Sequence, residues 1–154
     1  MQLTQYTDYG LRTLIALGLA QPRSMTVAQV SSAYDISRHH LVKIAARLAE
    51  LGYIQTLRGK GGGMRLARDP REIRIGDVVR GMETELGVVE CLESGGGTCV
   101  IVPSCRLKPM LATATERFMD ELDAHTLADV LQPRLPLARL LGIAVVAEPA
   151  RTRA

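Results

Sequence analysis

The chain has 154 residues, of which 47% are hydrophobic but only 3% aromatic, and a formal net charge of +3. That length holds one domain or one and a half, around an aliphatic core suited to helices rich in Ala and Leu. No uncharged apolar run of about 18 residues occurs, so no membrane span is expected. Met1-Gln2-Leu3-Thr4-Gln5 also lacks the basic start and apolar stretch of a secretory signal, so a cytoplasmic location is expected.

The modest net charge hides an asymmetry. Residues 1–70 carry nine Lys and Arg against four Asp and Glu, whereas residues 71–154 carry ten against twelve. A basic first half is the footprint of a polyanion partner. Leu3 to Leu19 reads as a helix from apolar residues at three- and four-residue steps, with Asp8 and Arg12 placed for an i,i+4 ion pair. Gln21-Pro22-Arg23-Ser24 ends it. Thr26-Val27-Ala28-Gln29 fits a capping box that opens a second, shorter helix. A tight turn at Ala33-Tyr34-Asp35-Ile36 follows, and Ser37 is a good N-cap for a third helix reaching about Leu51. The third helix buries Leu41, Ile44, Ala45, Leu48 and Leu51, and its other face carries Arg38, His39, His40, Lys43 and Arg47. Two helices joined by a short turn, the second opening on cations and imidazoles, read as a helix-turn-helix.

After Gly52 the period changes to that of strands, at Tyr53–Leu57 and Met64–Ala67. Between them lies Arg58-Gly59-Lys60-Gly61-Gly62-Gly63. Four glycines flanked by cations make a hairpin tip able to lie against a phosphate backbone or in a minor groove. The spacing is not that of a P-loop, and no helix follows directly, so a nucleotide cradle is excluded. A short helix from Gly76 to about Glu83 comes next. Beyond the cysteines, Leu107, Met110, Leu111, Ala114, Phe118 and Leu122 form the stripe of a long amphipathic helix, with Pro109 in its first turn. That stripe exceeds what a small winged domain covers, so it is read as a dimerisation helix. Thr126 to Leu131 adds a helical turn, and the Pro-punctuated stretch from Pro133 is expected to be a loosely held tail.

All three cysteines fall in Glu90–Arg106. Cys91, Cys99 and Cys105 are separated by seven and then five residues, with Gly95, Gly96 and Gly97 among them. Clustered thiols in a reducing compartment bind metal more often than they form disulfides, and an odd count leaves one thiol unpaired. Thiolates suit iron–sulfur clusters, zinc or copper. Three of them are one short of the usual four, so a further ligand is expected from elsewhere. No HExxH motif, nucleophile–base pair or acidic dyad is found, so an enzyme is not expected. A zinc-binding or electron-transfer protein is the alternative of another class.

The run Arg58-Gly59-x-Gly61-Gly62-Gly63-x-x-Leu66-Ala67-x-x-Pro70, with Ile73 and Asp77-Val78-Val79 after it, resembles the wing and following helix of the Rrf-two family of bacterial winged-helix repressors. The cysteine loop with Arg106-Leu107-Lys108, and Leu122-Asp123-Ala124-His125-Thr126-Leu127-Ala128-Asp129, resemble its nitric-oxide-sensing NsrR branch. The resemblance covers about residues 1–131 and implies a mainly α fold with a small β-hairpin. Residues 1–70 form the winged helix-turn-helix, 71–131 the cluster loop and dimerisation helix, and 132–154 the tail. It implies a homodimer on a pseudo-palindromic DNA operator, nitric oxide as the signal, and a 4Fe–4S cluster on Cys91, Cys99, Cys105 and Asp8 of the partner subunit. The alternative is an IscR-like regulator sensing iron–sulfur or redox status through a 2Fe–2S cluster, a branch that expects a histidine where Lys108 stands. The candidate DNA contacts are Ser37, Arg38, His39, His40, Lys43 and Arg47 on the third helix, and Arg58, Lys60, Gly61 and Gly62 on the wing.

Overall fold

The computed structural model describes residues 2–59 and 61–145. Helices α1 (Gln5–Ala20), α2 (Val27–Tyr34) and α3 (Arg38–Glu50) precede strands β1 (Ile54–Leu57) and β2 (Gly63–Leu66). Helices α4 (Ile75–Met82), α5 (Leu107–Asp123), α6 (Leu127–Val130) and α7 (Arg134–Leu140) follow. Three-residue 3-10 turns stand at Pro70–Glu72, Glu90–Leu92 and Val102–Ser104.

Helix α1 begins after Thr4, whose hydroxyl accepts the amide of Thr7 at 3.2 Å and so satisfies an orphan donor of the first turn. It is the post around which the chain is built, packing against α2, α3, β2, α4, α6 and α7. Leu14 and Leu17 of α1, Val30 of α2 and Leu41, Ile44 and Leu48 of α3 are almost completely buried. Each such leucine or isoleucine contributes about 1.5–3 kcal/mol by leaving water. The capping box at Thr26 forms as expected, with Thr26 Oγ1 accepting from the Gln29 amide at 3.2 Å and Gln29 Oε1 accepting from the Thr26 amide at 2.8 Å.

Ser37 occupies the N-cap position of α3, but its side chain makes no capping hydrogen bond. The hydroxyl stays on the exposed surface beside Arg38 and His39. Gly52 stops α3 at φ +73°, a left-handed conformation that glycine adopts without cost.

The hairpin is antiparallel, with Ile54 opposite Leu66 and Leu57 opposite Gly63. It does not hang free. Met25, in the loop between α1 and α2, donates its amide to Met64 O at 2.9 Å and accepts the Met64 amide at 2.7 Å. Likewise, the link between α5 and α6 pairs with the approach to α4: Ile75 N donates to His125 O at 3.0 Å and Leu127 N to Ile73 O at 2.8 Å. Arg80 of α4 grips Asp123 at the end of α5 with both ends of its guanidinium, one contact at 2.7 Å. That hydrogen bonding holds the Asp123 carboxyl below the usual carboxylate range.

The stretch after Pro133 departs from the expected loose tail. Residues Arg134–Leu140 form α7, which buries Ala138 and packs on α1. Leu137, Leu141 and Ile143 lie against the core cluster. The prolines that suggest irregular chain stand before α7 and in its first turn, where a missing amide costs nothing. Residues 146–154 lie outside the described residues.

Candidate nucleic-acid interface and cysteine loop

Burying Leu41, Ile44, Ala45 and Leu48 fixes the rotation of α3. Its opposite side then presents Arg38, His39, His40 and Lys43, all exposed. The His39 and His40 rings stand 6.4 Å apart. Tyr6 of α1 donates its hydroxyl to Lys43 O at 3.1 Å, so α1 holds the outer helix directly. Arg47 is turned aside from this group. Its Nε and Nη2 donate to Gly81 O of α4 at 3.1 and 2.9 Å, and Nη1 meets Glu50 at 3.2 Å. The structure thus gathers Ser37, Arg38, His39, His40 and Lys43 on one face and ties Arg47 to α4.

The wing carries Arg58, exposed at the end of β1. Lys60 lies outside the described residues. Gly61 takes φ +86°, and a side chain on Gly62 would meet Leu57 O at 2.4 Å. The tip is therefore closed by backbone that tolerates nothing larger than glycine. Reasoning from sequence passed over Arg65. The alternation of β2 buries Met64 and Leu66 and puts Arg65 on the outer face, opposite Gln55. That period of two was the available signal.

The cysteine loop runs from the end of α4 to the start of α5. Cys91 sits in the 3-10 turn Glu90–Leu92, and Cys105 closes the turn Val102–Ser104. Both are half-buried, Cys99 is exposed, and all three are free thiols. Gly96 and Gly97 adopt φ +72° and +61°, the reversal the glycine run allows. Glu85 anchors the loop by accepting the Ser94 amide at 3.3 Å and the Ser94 hydroxyl. Among the described residues of this one chain, no three His, Cys, Asp or Glu side chains are grouped to hold a metal ion. Asp8 lies in the first turn of α1, its side chain 42% exposed, paired with Arg12 at 2.7 Å. Arg12 lies over the rings of Tyr9 and Tyr34, 5.7 and 5.9 Å from their centroids. Burial pushes the Tyr34 hydroxyl up to about 12. His125 is bonded locally to Glu121 at 3.2 Å.

A helix-turn-helix, a tethered wing and a three-cysteine loop on one chain narrow the possibilities, and comparison with known proteins decides among them. The model of the Rrf2 family, described as iron-dependent transcriptional regulators, matches residues 3–133. The chain belongs to the Rrf2 family. Within it the chain is of the NsrR type. The HTH-type transcriptional regulator NsrR of Geobacillus kaustophilus is 49% identical over 142 residues, covering 92% of this chain and 97% of its own. The NsrR of Bacillus subtilis is 43% identical over the same length. Solved structures share the fold at lower identity. CymR, the global cysteine regulator of B. subtilis, gives a TM-score of 0.69 at 22% identity, over 84% of this chain and 95% of that one. T. potens IscR gives 0.65 at 24%, over 88% and 90%. This Rrf2 chain is thus a transcriptional regulator and not an enzyme. Among its described residues no helix is long and apolar enough to cross a membrane.

Proposed function

We propose that this chain is a homodimeric repressor in the cytoplasm, bound to a pseudo-palindromic operator in double-stranded DNA and released from it by nitric oxide. The proposed cofactor is a 4Fe–4S cluster held by Cys91, Cys99, Cys105 and Asp8 of the partner subunit. The observation that carries this reading is a basic winged head joined to three uncommitted thiols on one glycine-hinged loop. The donors fit such a cluster: they are soft, free of disulfides, none fully buried, and one ligand short.

When bound, the cluster supplies iron that reacts with nitric oxide. The chain's own residues supply the coupling. Ligation by the cysteines and by Asp8 of the partner subunit would join the loop of one protomer to α1 of the other. A carboxylate is a harder ligand than a thiolate, so the Asp8 tie is the weakest of the four. Arg12 is a standing competitor for that carboxylate, 2.7 Å away on the next turn. With Asp8 paired to Arg12 instead, α1 would have no hold on the opposite loop, and α1 packs against α2, α3 and β2 of the wing. Coupling of about 1–3 kcal/mol corresponds to an affinity change of about 5- to 150-fold.

On DNA, α3 enters the major groove with Ser37, Arg38, His39, His40 and Lys43. The wing brings Arg58, Lys60, Gly61 and Gly62 to the adjacent backbone or minor groove. Arg47 supports this face through Gly81. Anaerobic purification should give brown protein with about four irons and four sulfides per monomer. Adding nitric oxide should abolish its promoter gel shift, and Cys99→Ser should lose both cluster and shift. Two irons with two sulfides would instead identify the 2Fe–2S cluster. Zinc without sulfide, or a shift that survives nitric oxide, refutes the proposal.

A further inference from the structure

Helix α3 carries an apolar side chain where the chain itself has no use for one. Val42 is 56% exposed, on the side of the helix away from Leu41, Ile44, Ala45 and Leu48. It stands beside Lys43 and one turn from His39, and Ala46, one turn on, is exposed as well. A branched aliphatic at a solvated helix position gains little burial and has lower helix propensity than the long polar residues common there. The other large exposed aliphatics among the described residues lie outside the helix-turn-helix.

We propose that Val42, with Ala46 behind it, is a specificity-determining residue that packs on the 5-methyl group of a thymine in each operator half-site. The inference rests on the reading of α3 as the helix that enters the major groove. In that groove thymine alone presents a methyl group, and cytosine presents an amino donor at the corresponding edge. A valine excludes water from the methyl but cannot accept from the amino group. Cytosine there is rejected by its unsatisfied donor, and thymine is favoured by apolar contact. His39 and Lys43 supply hydrogen bonds and charge that hold the helix in the groove, and the apolar strip runs alongside them.

The test uses full-length protein prepared anaerobically and an operator selected by it from a pool of random duplexes. Each thymine is then replaced in turn by deoxyuridine, which removes only the methyl. The wild type should lose about fourfold in affinity at one position of each half-site, the worth of one buried methyl-sized group. Val42→Ala, which leaves the core untouched and should melt like the wild type, should no longer distinguish thymine from uracil at that position. Lys43→Ala should weaken every duplex alike and keep the wild-type ratio. Neutral replacement at every thymine, or a Val42→Ala protein that keeps the ratio, overturns the assignment while leaving DNA binding intact. Failure of the wild type to select any duplex overturns the DNA-binding reading and this one together.

Discussion

A guanidinium has five donors and no acceptor, so an arginine on a helix surface either meets anions or fastens on carbonyls of its own chain. Arg47 does both within its own chain, with Nε and Nη2 on Gly81 O and Nη1 on the Glu50 carboxylate. Lys43, one turn earlier, is exposed, and Tyr6 holds its carbonyl and not its side chain. The two cations therefore differ in their expected response to mutation. Lys43→Ala should reduce the slope of log affinity against log salt by about two, because one phosphate contact is gone from each half-site of the dimer. Arg47→Ala should leave that slope unchanged and cost about 1 kcal/mol of stability through the lost link to α4. Salt-dependent binding titrations and thermal melts of the two variants check both halves. The helical period of α3 puts both residues on its polar side, which is as far as local spacing reaches. That Arg47 is already engaged depends on a carbonyl 34 residues further on.

At the scale of elements, the first four helices and the wing were legible in the sequence because each carries its own local signals. Thr26 and Gln29 cap α2, Gly52 stops α3, and the apolar period of α3 matches its burial. Helix α7 was not legible, because Pro133 and Pro136 mask a short apolar period whose partners lie on α1. Its fastening is specific: Arg134 Nη2 donates to Leu19 O at 3.1 Å and Gln21 O at 3.4 Å, and Arg23 donates to Ala144 O. The two Arg134 bonds satisfy carbonyls at the end of α1, where the helix has no partners of its own. Arg134→Ala should cost about 2 kcal/mol, because it frees partly buried carbonyls. That corresponds to a fall in Tm of about 4–8 °C for a chain of this size. Calorimetry showing an unchanged Tm would mean that α7 is not a brace.

For the whole molecule, the stripe on α5 is only partly covered within a single chain. Leu107 and Met110 are 59% and 65% exposed, and Met119 is the buried residue of that helix. The apolar period announces α5 plainly, but what covers it is not written in one chain. The same holds for the fourth ligand that the proposed cluster would need, which a count of three cysteines, Cys91, Cys99 and Cys105, leaves unnamed. If α5 pairs with its copy, Met110→Glu should turn a dimer into a monomer at micromolar concentration while helix content stays constant. Sedimentation and circular dichroism measure the two. The bond pair between Met25 and Met64 has a mechanical consequence. With the hairpin stitched to the loop that leaves α1, it has no hinge of its own. A tilt of α1 carries helix-turn-helix and wing together as one lever arm, and a small rotation at the post becomes a large sweep at the glycine tip.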